Sequence, residues 1–95
     1  MAKTFLITGV SSGFGRALAE AALSDGHAVA GTVRNDADRQ SFGALGPGAH
    51  AVVLDVTNTK AVAPAVADIE SRIGAIDVLV NNAGYGHEGI LEESS

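Results

Sequence analysis

Eight residues near the N-terminus, Thr8-Gly9-Val10-Ser11-Ser12-Gly13-Phe14-Gly15, leave this chain few folds to choose from. Upstream, Thr4-Phe5-Leu6-Ile7-Thr8 is short, apolar and rich in strand formers, and it stops at Gly9. Downstream, Phe14, Ala17, Leu18, Ala21 and Ala22 recur at helical spacing. Arg16 and Glu20 fall off that face, and Gly26 stands where a left-handed C-terminal cap belongs. Strand, glycine loop and helix in that order predict the opening of a βαβ unit.

The unit returns along the chain. His27 to Val33 is a second apolar run, ending at Arg34-Asn35. Residues 36–45 are polar with room for one short helix, and Gly46-Pro47-Gly48 is a turn. Ala51 to Leu54 is a third strand, ending at Asp55, and Thr57 or Asn58 is placed to cap the next helix. Val62, Val66, Ile69 and Ile73 form that helix's apolar stripe, which Gly74 ends. Val78 to Val80 is a fourth strand, running into Asn81-Asn82-Ala83-Gly84, and Tyr85 to Ser95 is polar with two more glycines. Strands 1, 3 and 4 are continuous apolar runs, as expected when helices cover both faces of a sheet. Right-handed crossovers then predict an α/β fold with a doubly wound parallel sheet, in spatial order 3-2-1-4. Pro64 has no N–H for the carbonyl of Lys60, but by helical phase it points away from the apolar stripe, so a solvent-side kink is expected and not a break.

Composition narrows the setting. Ninety-five residues suit one domain with a thin core. At 46% hydrophobic residues and a mean hydropathy of +0.23, the chain is a folding one rather than a disordered one. Eleven acids against six bases give a charge of −5, which argues against nucleic-acid or membrane partners recruited by bulk charge. The absence of cysteine excludes disulfides, thiolate metal sites and cysteine catalysis. Phe5-Leu6-Ile7 is too short for a signal peptide or a membrane span, so a cytoplasmic location is expected.

The glycine loop has a chemistry. Gly9 permits the tight turn out of the strand, Gly13 lets a pyrophosphate approach the backbone, and Gly15 lets the helix pack closely on the sheet. The helix N-terminus attracts phosphate through its free N–H groups and positive partial charge, and the Ser11 and Ser12 hydroxyls can add hydrogen bonds. The plainer alternative is that these glycines only make turns. A phosphate loop of the ATPase kind needs Gly-Lys-Ser/Thr, and Arg16-Ala17 follows Gly15 here, so a dinucleotide is the better ligand.

Thr-Gly-x3-Gly-x-Gly, then Asp55 after strand 3, then Asn81-Asn82-Ala83-Gly84 after strand 4, resembles the short-chain dehydrogenase/reductase family in its ordinary, non-extended branch. The resemblance covers Lys3 to Ser95 and implies a Rossmann-type fold. It implies that Gly9, Ser11, Gly13, Phe14 and Gly15 cradle the cofactor's phosphates. It implies that Asp55 accepts from the adenine amino group with the Val56 backbone beside it, and that Asn82, Ala83 and Gly84 line the adenosine ribose. For Asp55 the plainer role is a strand-end carboxylate capping the next turn, and for Asn82 a turn former.

At the end of strand 2, the position where an acid would read the ribose 2′-hydroxyl holds Val33, and Arg34 follows. A guanidinium suits a phosphate, and in the resembling family a base here goes with NADP, so NADP(H) is the expected cofactor. The alternative is that Arg34 is solvated and Asp36 or Asp38 reaches the ribose, as in NAD sites. The family's proton donor is a Tyr-x3-Lys pair, helped by a Ser and an Asn. Here the only tyrosine is Tyr85, with Gly89 four residues on; the only lysines are Lys3 and Lys60, and Ser94 and Ser95 come too early. No catalytic residue and no metal ligand is therefore assigned. His27, His50 and His87 read as structural or exposed, and Arg39, Lys60 and Arg72 as solvated. The 95 residues read as the cofactor half of a longer reductase acting on a small carbonyl or secondary alcohol, a homo-oligomer in full-length form, with strand 4 left as an open edge. The loop after Asn82 looks more like the hydroxysteroid-dehydrogenase-like branch than the acyl-carrier ketoreductases. The reading of another class is a dinucleotide-binding module without catalysis, a sensor or a half that pairs with another chain.

Overall fold

The computed structural model describes residues 2–11, 13–55 and 57–81, and the backbone of residues 90–93. Its elements are β1 (Thr4–Ile7), α1 (Gly13–Ser24), β2 (Ala28–Val33), α2 (Asp36–Gly43), β3 (Ala49–Val53), α3 (Thr59–Ile73), β4 (Val78–Asn81) and β5 (Ile90–Glu93). The sheet runs β3-β2-β1-β4-β5. β1 pairs in parallel with β2 on one side and β4 on the other, and β2 pairs in parallel with β3. The Rossmann-type order 3-2-1-4 expected from the sequence is thus present.

Side-chain alternation along the strands builds two cores. Ile7, Val29, Val33, Val78 and Val80 face one way and pack with Ala19 and Ala22 of α1 and Phe42 of α2. Leu6, Ala30 and Leu79 face the other way, toward Val66, Ile69 and Ile73 of α3. Helices therefore flank both faces, because each strand is apolar on both of its sides.

Several details differ from the sequence reading. The buried residues of α1 are Gly15, Ala19 and Ala22; of the expected stripe only Ala22 is among them, with Leu18 packed partly buried against the same core. Phe14 is 61% exposed. The helix takes in Gly13 to Gly15, which the sequence placed in the loop, and its smallest residues turn inward because they allow the closest approach to the sheet. β3 begins at Ala49 rather than Ala51, and the polar His50 lies within it. The edge of β4 is not open: β5 pairs with it antiparallel, from Val78↔Glu93 to Asn81↔Ile90. The polar composition of 85–95 concealed a four-residue strand, since backbone pairing at a sheet edge makes little demand on side chains.

Other expectations hold. α3 runs unbroken through Pro64, which is exposed, with Ile69 buried on the opposite side. Gly26 closes α1 with a φ of 86°. His27 is structural: its Nδ1 accepts the Lys3 N–H at 2.9 Å and its ring lies 5.2 Å from that of Phe5. Arg39 and Arg72 are exposed and pair along their own helices with Asp36 and Asp68. Asp77, which the sequence did not mark, pins β4 to β1: its N–H donates to the Thr4 carbonyl at 2.9 Å, and its Oδ2 accepts the Thr4 N–H at 2.8 Å.

Candidate nucleotide-binding site

Because β1 to β4 are parallel, their C-terminal ends share one edge of the sheet. The glycine loop leaves β1 there, Arg34 follows β2, Asp55 follows β3, and Asn81 ends β4. The chain order reverses between β1 and β4, and a crevice outside such a switch point is where open α/β sheets take ligands.

The loop's shape is set from below by β2. The Gly9 N–H donates to Thr32 Oγ1 at 2.9 Å, and the Val10 N–H donates to the Thr32 carbonyl at 3.0 Å. Val10 is fully buried and rests on Gly31, where an added Cβ would overlap both Val10 γ-methyls. On the other side, the Thr8 N–H donates to the Val80 carbonyl at 3.0 Å, and the Thr8 hydroxyl lies 3.4 Å from Asn81 Oδ1, which ties the loop to the end of β4. Sequence reasoning passed over Gly31 and Thr32. A glycine inside a strand is a signal of close backbone approach, so Gly31 was findable; Thr32 carried no comparable mark.

Gly9 and Gly13 have φ values of 73° and 66°, the left-handed region in which side chains are strained. The Gly9 N–H is turned into the sheet, so Gly9 contributes the turn and not a donor. Gly13 faces open space, with nothing within 4 Å of an added Cβ. Ser11 is exposed, and Gly15, in the first turn of α1, is buried. The first turn of α1 holds no acid. By contrast, α2 starts with Asp36 and Asp38, and the Asn35 side chain accepts the Asp38 N–H at 2.8 Å. An open cradle over an acid-free helix N-terminus suits a pyrophosphate, because first-turn N–H groups have no intrahelical acceptor.

Asp55 is exposed, and its Oδ1 accepts both the Thr57 hydroxyl at 2.6 Å and the Thr57 N–H at 2.9 Å. These bonds, the hydroxyl first, hold the carboxyl below its ordinary value of 3.8, with a smaller contribution from the Arg34 charge. Thr57 is thereby spent on Asp55, and Asn58 takes the N-cap position of α3 without a side-chain hydrogen bond. The turn-capping role of Asp55 is present. A folded value below the unfolded one contributes stability that is whole above pH 3.8 and is lost as pH falls through the folded value. Thr57→Val should move the Asp55 titration up toward its ordinary value, as read by NMR of the side-chain carboxyl; an unmoved midpoint would remove Thr57 as the cause.

Arg34 is exposed and lies among acids: its charge acts on Asp55, and Asp36 and Asp38 start the helix two residues on. Ser12, Val56, Asn82, Ala83 and Gly84 lie outside the described residues, as do Tyr85, His87, Ser94 and Ser95. Among the described residues no group of three His, Cys, Asp or Glu is placed to hold a metal ion, and no helix is long and apolar enough to cross a membrane.

The sequence pattern of short chain dehydrogenases matches residues 3–95. The chain belongs to this family. A sorbitol dehydrogenase of Cereibacter sphaeroides is 45% identical over 82 residues, which are 85% of this chain and 32% of that protein. A short-chain dehydrogenase from Streptomyces avermitilis superposes with a TM-score of 0.81 at 49% identity, over 87% of this chain and 31% of that one. A 3-ketoacyl-(acyl-carrier-protein) reductase from Brucella melitensis, solved in complex with NADH, gives a TM-score of 0.75 at 35% identity, over 81% of this chain and 32% of that one. The chain thus spans about a third of the length of these dehydrogenases. The Brucella complex overturns the expectation of NADP drawn from Arg34. In this structure the Arg34 charge acts on Asp55, and the helix that follows it opens with two acids, surroundings that set its positive charge against carboxylates.

Proposed function

We propose that this chain is the cofactor-binding part of an NAD(H)-dependent oxidoreductase that interconverts a carbonyl and a secondary alcohol. One observation carries the reading: the open, left-handed Gly13 at the acid-free N-terminus of α1, at the switch point of the sheet. When bound, the dinucleotide supplies the hydride chemistry. The chain's own residues bind and orient it. Ser11, Gly13, Phe14 and Gly15 would receive the pyrophosphate, with Gly9 making the turn beneath it and Ser12 adding a hydroxyl. The Asp55 carboxylate would accept from the adenine amino group beside Val56, and Asn82, Ala83 and Gly84 would line the ribose. The acidic start of α2 favours a neutral ribose 2′-hydroxyl over a 2′-phosphate, which supports NAD(H). The proton donor is not among these residues, because Tyr85 has no lysine four positions on.

Titration of the full-length protein with NADH and NADPH, followed by nicotinamide fluorescence, tests the reading. NADH is expected to bind more tightly. Tighter binding of NADPH, or of neither, would overturn it.

A further inference from the structure

We propose that Thr32 is a positioning residue for the cofactor loop, setting from β2 which loop N–H groups face the phosphates. Thr32 is a buried polar side chain, 3% exposed, on a strand that contributes no residue to the cradle itself. Its hydroxyl accepts the Gly9 N–H and its carbonyl accepts the Val10 N–H, so two consecutive loop amides turn into the sheet. That leaves the loop's outward side to begin at Ser11 and Gly13. The backbone carbonyl cannot be removed by substitution, but the hydroxyl can, and a valine of the same shape would leave the Gly9 N–H without its acceptor. Loss of that hydrogen bond at a partly buried N–H releases the loop's left-handed turn at Gly9 to shift. The inference rests on the NAD(H) reading above.

The test compares Thr32→Val, Thr32→Ala and Thr32→Ser in the full-length protein, with NADH as the probe and hydrogen exchange at the Gly9 amide as a readout that needs no cofactor. Thr32→Val and Thr32→Ala should bind NADH roughly tenfold more weakly and release Gly9 to faster exchange. Thr32→Ser keeps the hydroxyl and should stay within about twofold of wild type in both. Wild-type affinity in Thr32→Val or Thr32→Ala, unchanged Gly9 exchange, or a Thr32→Ser as weak as the other two would overturn the positioning role alone. Failure of the wild type to bind NADH would overturn the cofactor reading and this role together.

Discussion

Gly31→Ala should lower the unfolding free energy by about 2 kcal/mol, a large effect for one added methyl. The new Cβ would meet Val10 Cγ1 at 2.9 Å and press closer still on Cγ2, while Val10 is fully buried between the loop and the sheet. Neither side has room to give. Gly31 pairs with Ile7 on one side and Ala51 on the other, so the strand cannot move away without disturbing two ladders. The coupling has a direct check. Val10→Ala alone should also cost about 2 kcal/mol through the lost methyls and the cavity they leave. The double variant should cost about 2 kcal/mol rather than the sum, because Val10→Ala removes the atoms that Gly31→Ala strikes. Urea unfolding at constant m-value reads all three. Gly43→Ala is the control: nothing lies within 4 Å of its added Cβ, and a change within about 0.5 kcal/mol is expected. Additive losses in the double variant would show that the two residues do not share the contact.

The second large effect concerns binding. Gly13→Val should weaken NADH by roughly a hundredfold, as expected if two charge-assisted hydrogen bonds worth about 3 kcal/mol together are blocked. The side chain would enter the open space that the phosphates are proposed to occupy, on a backbone at φ 66° that a β-branched residue tolerates poorly. The strain by itself would lower stability by about 1–2 kcal/mol, so affinity must be separated from folding. Gly26→Val supplies the separation. Gly26 has a φ of 86° and equally open surroundings, but it lies at the far end of α1, before β2 begins. It should lose similar stability and keep NADH affinity. Equal losses of affinity in the two variants would assign the effect to strain and remove Gly13 from the site.

The fold was legible because its signals are local and repeated. Ile7, Val29 and Val80 stand in short apolar runs, and Val62, Val66, Ile69 and Ile73 keep helical spacing through Pro64. The glycine loop was legible because left-handed backbone at Gly9 and Gly13 leaves a residue-type mark. The inward face of α1 was read one step out, because alanine satisfies both faces of a helix and periodicity could not choose between Ala21 and Ala19. Arg34 misled for a related reason. Its charge is visible in the sequence, whereas the placement of Asp55 near it comes from a crossover of more than twenty residues.

What the sequence determined alone was the order of the first four strands and the three helices, the β1-to-α1 loop and the resemblance that the family match bears out. These follow from period, glycine position and spacing, which act between near neighbours. Tertiary structure decided what holds the loop, Thr32 under Gly9 and Gly31 under Val10, and what fixes the sheet and the site around it, Asp77 across from Thr4 and Thr57 on Asp55 beside the Arg34 charge. All but the Thr57 contact join residues more than twenty positions apart, brought together by parallel pairing. Close approach and hydrogen-bond geometry between such residues leave little trace in a one-dimensional pattern, because each residue type alone is compatible with many partners.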